Sequence, residues 1–118
     1  MTKMLDTAKA MIKGEAPQAP AGRLIGFNLV SIEPTSAVIE FEATEAHRNP
    51  MGTLHGGILC DIADAAMGMA YASNLNEGES FTTLELKINF LSRSGTLVCE
   101  QRVTWSNKGA PSAWWNAT

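Results

Sequence analysis

Residues 57–73 read GILCDIADAAMGMAYAS, and how this run is taken decides the fold. It is too long for a strand and is rich in Ile, Leu, Ala and Met, with Asn74 and Gly78 placed to stop a helix. Its apolar residues go almost all the way round the helical wheel, which predicts a helix buried on every side. Such a helix needs a covering, and the rest of the chain offers amphipathic strands. "SAVIEFEAT" (36–44) alternates, with Ala37, Ile39, Phe41 and Ala43 on one face and Val38, Glu40 and Glu42 on the other. "FTTLELKINFL" (81–91) turns Leu84, Leu86, Ile88 and Phe90 inward and Glu85, Lys87 and Asn89 outward. "TLVCEQRVTW" (96–105) sets Leu97, Cys99, Val103 and Trp105 on one face. Residues 24–33 predict a short strand ending at Pro34, and "SAWWNAT" (112–118) the start of another. One long helix among such strands implies an α+β layout, a curved antiparallel sheet wrapped around the helix.

The flanking segments are simpler. Residues 1–13 predict a helix with Met4, Leu5, Ala8, Met11 and Ile12 on one stripe, and residues 14–23, with their "APQAPAG" run, a connector. At 118 residues the chain is the length of a single domain, 1–118. It stops inside a predicted strand, so the expectation is a truncated product lacking the final strand and exposing a sheet edge. A net charge of −3 without a Lys/Arg cluster argues against a nucleic-acid surface. No apolar run reaches the roughly 18 residues that span a bilayer, so no membrane partner is expected. The N-terminus lacks a signal peptide's apolar core, and Cys60 and Cys99 have no paired spacing, which points to reduced thiols and a cytoplasmic location.

Chemistry concentrates where the long helix begins. His55-Gly56-Gly57 puts two glycines at a helix start, where free N–H groups and the helix dipole favour negative charge, including a carbonyl oxygen becoming an oxyanion. An ordinary glycine-rich loop remains the alternative. Asp64 sits among Ala63, Ala65 and Ala66, and a buried carboxylate needs partners or a task. Asp61 competes for that role, and either aspartate could simply face solvent. Nine residues separate His55 from Asp64, about 13 Å of helix rise and roughly half a turn of phase. If both serve one site, they come from two subunits about a twofold axis. His47 and His55 invite a metal with Asp61, Asp64 or Cys60. Only Cys60 and Asp64 sit at a ligand-like spacing, so no metal is expected. His47 and Arg48 read as solvated loop residues. No GxSxG elbow supports a serine hydrolase.

The stretches "HRNPMGTLHGGILCDIADAAMGMA" (47–70) and "TTLELKINFLSRSGTL" (82–97) together resemble the hotdog-fold acyl-CoA thioesterases. The nearest branch is that of phenylacetic-acid-degradation (PaaI-type) and 4-hydroxybenzoyl-CoA thioesterases. The resemblance runs over residues 22–108. It rests on an Asn…Gly-x-x-His-Gly-Gly…Asp pattern followed by Thr-x-Glu-Leu-x-Ile-Asn-Phe. It implies a hotdog fold, paired into homodimers or homotetramers with active sites at the dimer interface.

By position, the resemblance makes Asp64 the nucleophile or general base and Gly56 the backbone N–H that polarises the thioester carbonyl. Asn49 and His55 become the orienting loop residues, and Thr83 a hydroxyl near the carboxylate. The alternation of its strand, however, turns Thr82 rather than Thr83 toward the helix. Arg93 and Lys108 would meet CoA phosphates, Gly57 would let substrate approach the backbone, and Leu54, Met67, Met69 and Tyr71 could line an acyl pocket. The implied reaction is hydrolysis of an acyl-CoA thioester to free acid and CoA, with no separate cofactor because CoA belongs to the substrate. The competing expectations are a non-hydrolytic acyl-CoA or small-ligand binding protein on the same fold, and an inactive truncated fragment.

Overall fold

The computed structural model describes residues 3–90, 96–105 and 111–117, with side chains described through residue 90. Helix α1 (Lys3–Lys13) carries Asp6 in its first turn and Lys13 in its last, both matched to the helix dipole. Its buried stripe is narrower than the sequence predicts: Leu5 and Ala8 are buried, while Met4 and Ile12 stay exposed on its shoulders. The connector is not wholly irregular. Pro20–Ile25 forms a short helix, α2, with Pro at its start and Gly26 after its end, where φ is 97° and the N–H returns to the Gly22 carbonyl at 2.7 Å. That helix takes the first residues of the strand expected at 24–33, so β1 begins at Phe27 and runs Phe27–Glu33.

Strand β2 (Ser36–Glu42) buries Ala37, Ile39 and Phe41, as its alternation predicts. With β3 (Thr96–Trp105) and β4 (Pro111–Ala117) it forms an antiparallel sheet in the order β1-β2-β3-β4. Between β2 and β3 the chain makes a 3₁₀ turn (Glu45–His47) and then the long helix α3 (Gly56–Ala72). This is the expected α+β hotdog architecture, a long helix against an open antiparallel sheet. No helix among the described residues is long and apolar enough to cross a membrane.

Ile62, Ala66 and Ala70, one turn apart on α3, are buried against the sheet's inner face, in one cluster with Leu29, Ile32, Ile39 and Phe41. The expectation of burial on every side is corrected here. Cys60, Asp64 and Gly68, also one turn apart, are only half-buried, and Asp61 is exposed. Small side chains make this second face shallow, and a single extended segment, described below, lies against it.

The far end of α3 is pinned. The two-residue turn Pro34-Thr35 joins β1 to β2 with Thr35 at φ 71°, a strained setting for a β-branched residue. Ser73, 5% exposed, accepts the Thr35 N–H on its Oγ at 3.1 Å. Its hydroxyl points at the Ala70 carbonyl at 2.7 Å and lies 3.3 Å from the Glu33 carbonyl. Ser73→Ala strips a part-buried donor of its acceptor and should cost about 1–3 kcal/mol, read as a lower urea midpoint at unchanged m-value. On the sheet's other flank, Leu29 N–H, at a bulge in edge strand β1, donates to Gln18 Oε1 at 3.1 Å. Gln18 Nε2 in turn donates to the Met11 carbonyl at 3.3 Å, which ties α1 to that edge.

Candidate active site

Residues 79–90 carry no regular secondary structure, so the strand expected at 81–91 is not formed over its described part. The segment instead runs back along α3 and touches it at three levels. Phe81 packs on Gly68 and stacks obliquely on Tyr71, with ring centroids 5.3 Å apart. Thr83 Oγ1 donates to Asp64 Oδ1 at 2.7 Å. Phe90 reaches the first turn, where its ring lies against Gly56. The predicted parity fails at the Thr83 end, because Thr83 rather than Thr82 meets the helix and Leu84 is 94% exposed. The cause is tertiary: the Phe81 contact with Tyr71 and the Asp64 acceptor opposite Thr83, both on α3, accompany the inward turn of these odd positions. Leu86 and Ile88 are half-buried as expected, and Phe90 meets the helix from an even position.

The start of α3 is capped by His55, whose Nδ1 accepts the Gly57 N–H at 3.0 Å. Because His55 takes the Gly57 N–H, the two glycines are not equivalent. The Gly56 N–H has no hydrogen-bond partner among the described residues and lies at the positive end of the helix dipole.

Asn49 builds the loop before the helix. Its Oδ1 accepts from the N–H groups of Met51 (3.0 Å) and Thr53 (3.1 Å), and its Nδ2 donates to Thr53 Oγ1 at 2.8 Å. His47 is not the solvated residue the sequence suggests. Its Nδ1 accepts the Thr44 N–H at 2.9 Å, its Nε2 meets the Ile25 carbonyl at 2.6 Å, and its ring stands edge-on to Phe41 at 4.7 Å. It clamps the 3₁₀ turn to the end of α2. Arg48 stays on the surface, 3.6 Å from Glu45.

Leu54, Met69 and Tyr71 pack against the core, and Met67 is half-buried on α3. Arg93 and Lys108 lie outside the described residues. Among the described residues no three His, Cys, Asp or Glu side chains converge to hold a metal. Sequence reasoning missed Phe90 as a neighbour of Gly56. The available signal was the four-residue spacing of Gly56, Cys60, Asp64 and Gly68, a shallow stripe against which another segment can lie.

Residues 8–113 match the family described as "Domain of unknown function (DUF4442)". The chain is 36% identical over 67 residues to a 1,4-dihydroxy-2-naphthoyl-CoA hydrolase of Listeria monocytogenes, covering 57% of this chain and 54% of that protein. It is 29% identical over 93 residues to human acyl-coenzyme A thioesterase 13, covering 78% of this chain and 66% of that protein. The matched region thus spans about half to two thirds of these relatives. Among solved structures, a phenylacetic acid degradation-related protein of Ralstonia eutropha JMP134 superposes with a TM-score of 0.80 at 25% identity, over 95% of this chain and 88% of that one. The conserved protein PA5202 of Pseudomonas aeruginosa gives 0.70 at 29% identity, over 77% and 74%. The chain belongs to the DUF4442 family, and it is a hotdog-fold protein related to PaaI-type members of the thioesterase superfamily.

Proposed function

We propose that this protein hydrolyses an acyl-CoA thioester to a free acid and CoA. The observation that carries the reading is the 2.7 Å hydrogen bond from Thr83 to Asp64 Oδ1 on the shallow face of α3. The hydroxyl holds one carboxylate oxygen and leaves Oδ2 for chemistry. The likeness to two CoA-thioester hydrolases supplies the substrate class.

In this mechanism the thioester oxygen accepts the Gly56 N–H, and the helix dipole stabilises the charge that grows on that oxygen. Asp64 either attacks the carbonyl carbon, giving a mixed anhydride that water then opens, or takes a proton from the attacking water. In both routes collapse of the tetrahedral intermediate expels CoA thiolate. His55, already oriented by its cap, holds the glycine turn, and Asn49 holds the loop that leads into it. The eight-residue step from Gly56 to Asp64 is about 12 Å of helix, too far for one reacting carbon. Asp64 therefore acts on a carbonyl held by Gly56 of a second copy, in a homodimer with two composite sites or a homotetramer built from such dimers. Leu54, Met67 and Gly57 border the acyl group, and Arg93 and Lys108 meet the CoA phosphates.

The test is thiol release from a panel of aryl- and fatty-acyl-CoAs. Release from at least one class is expected, and binding without release favours the non-hydrolytic alternative. Thr83→Val keeps the side chain's shape but removes the hydroxyl, and should lower kcat on the order of tenfold with KM little changed. Thr83→Ser should restore most of that loss, whereas a purely structural Thr83 would leave kcat untouched in both variants.

A further inference from the structure

The Phe90 ring lies against Gly56 in the first turn of α3. A methyl group built on Gly56 would lie 2.9 Å from Phe90 Cζ, 3.3 Å from Cε1 and 3.4 Å from Cε2. The tip of the ring therefore rests at Gly56, where the absent side chain leaves it room. Phe90 is also 56% exposed and sits in a segment without regular secondary structure.

Resting on the reading of Gly56 as the donor to the thioester oxygen, we infer that Phe90 determines acyl specificity by limiting bulk on the carbon next to the carbonyl. In this proposal a thioester oxygen bound to the Gly56 N–H sets its carbonyl carbon, and the carbon attached to it, beside the first-turn backbone on which the ring rests. A straight chain leaves that carbon with two hydrogens and slides past the ring. A branched chain presents an extra methyl there and meets it. The segment 81–90 consequently serves two sites at once: Thr83 orients the carboxylate of one, and Phe90 walls the carbonyl end of the other.

Butyryl-CoA and 2-methylbutyryl-CoA test this, because they share a four-carbon chain and differ by one methyl at that carbon. The wild-type protein should favour butyryl-CoA in kcat/KM by about tenfold or more, the scale of one or two pocket contacts, and Phe90→Ala should bring the ratio close to one with Phe90→Leu between them. The same ratio is read without hydrolysis as Kd for the two thioesters in an Asp64→Asn background, with and without Phe90→Ala. An absent preference in the wild type, or one that persists unchanged in Phe90→Ala, overturns the proposal. Wild-type protein that releases no thiol sinks the hydrolase reading, while the Kd ratio still decides the role of Phe90. Failure to bind either thioester overturns both. If Phe90→Ala does not fold, Phe90→Leu carries the same comparison.

Discussion

Asp64→Asn is expected to lower turnover of an acyl-CoA thioester by about 10²–10⁴-fold, the range that a positioned base or nucleophile contributes. Asparagine has the shape of aspartate and keeps an oxygen to accept the Thr83 hydroxyl, so the 2.7 Å contact to residues 81–90 survives. What disappears is the negative charge, and with it both nucleophilic attack and proton abstraction. Asp64→Ala should lose as much activity and also leave Thr83 Oγ1 without its acceptor. Kinetics measured beside circular dichroism and sizing separate these effects, since both variants should keep their secondary structure and assembly. Wild-type-like turnover in either one rules out the assignment. A single turnover in ¹⁸O-labelled water then divides the two mechanisms, because only the covalent route can leave heavy oxygen on the protein carboxylate.

The second large effect concerns stability. Ile62→Ala should cost about 2–5 kcal/mol, the usual range for emptying a large aliphatic position in a packed core. Ile62 and Ile39 are each 1% exposed and belong to the cluster that joins α3 to the sheet. A domain of this size holds only about 5–15 kcal/mol in total, so one such cavity removes a large share. A urea titration should show the midpoint falling with little change in slope. Ile39→Val, which removes one methylene from the same cluster, should cost only about 0.5–1.5 kcal/mol. An Ile62→Ala loss no larger than that of Ile39→Val would mean that α3 does not anchor the core.

Much of this fold is legible in the residues themselves. The β2 alternation is unambiguous because Ala37, Ile39 and Phe41 face one core and Glu40 and Glu42 face away from it. Helix α3 is legible because no other element accommodates so long an apolar run. The failures share a physical cause, which is that local periodicity carries no knowledge of distant partners. Nothing near Thr83 in the chain announces that its acceptor lies 19 residues earlier. The even-position pattern of 84–90 therefore pointed to the wrong threonine. His47 looked like a loop residue because its acceptor, the Ile25 carbonyl, is 22 residues away. The short helix α2 was masked by the proline and glycines that in fact mark its two ends. For the candidate site, the residues themselves suggest a chemistry, a glycine helix start and a helix carboxylate, while the donor role of Gly56 comes from the resemblance alone. In the structure the His55 cap takes the Gly57 N–H, while the Gly56 N–H has no partner among the described residues.

Gln18 gives the sheet a direction. Its side chain fills the acceptor place that a neighbouring strand would offer Leu29, and α1 packs along the same margin. Among the described strands, β1 thus has part of its outer margin filled, which disfavours pairing with another chain there. A sheet open at both margins can propagate without limit, as fibrils do. A margin filled even at one register position no longer offers a continuous ladder to a second strand, so this side of the sheet is a poor template for such growth.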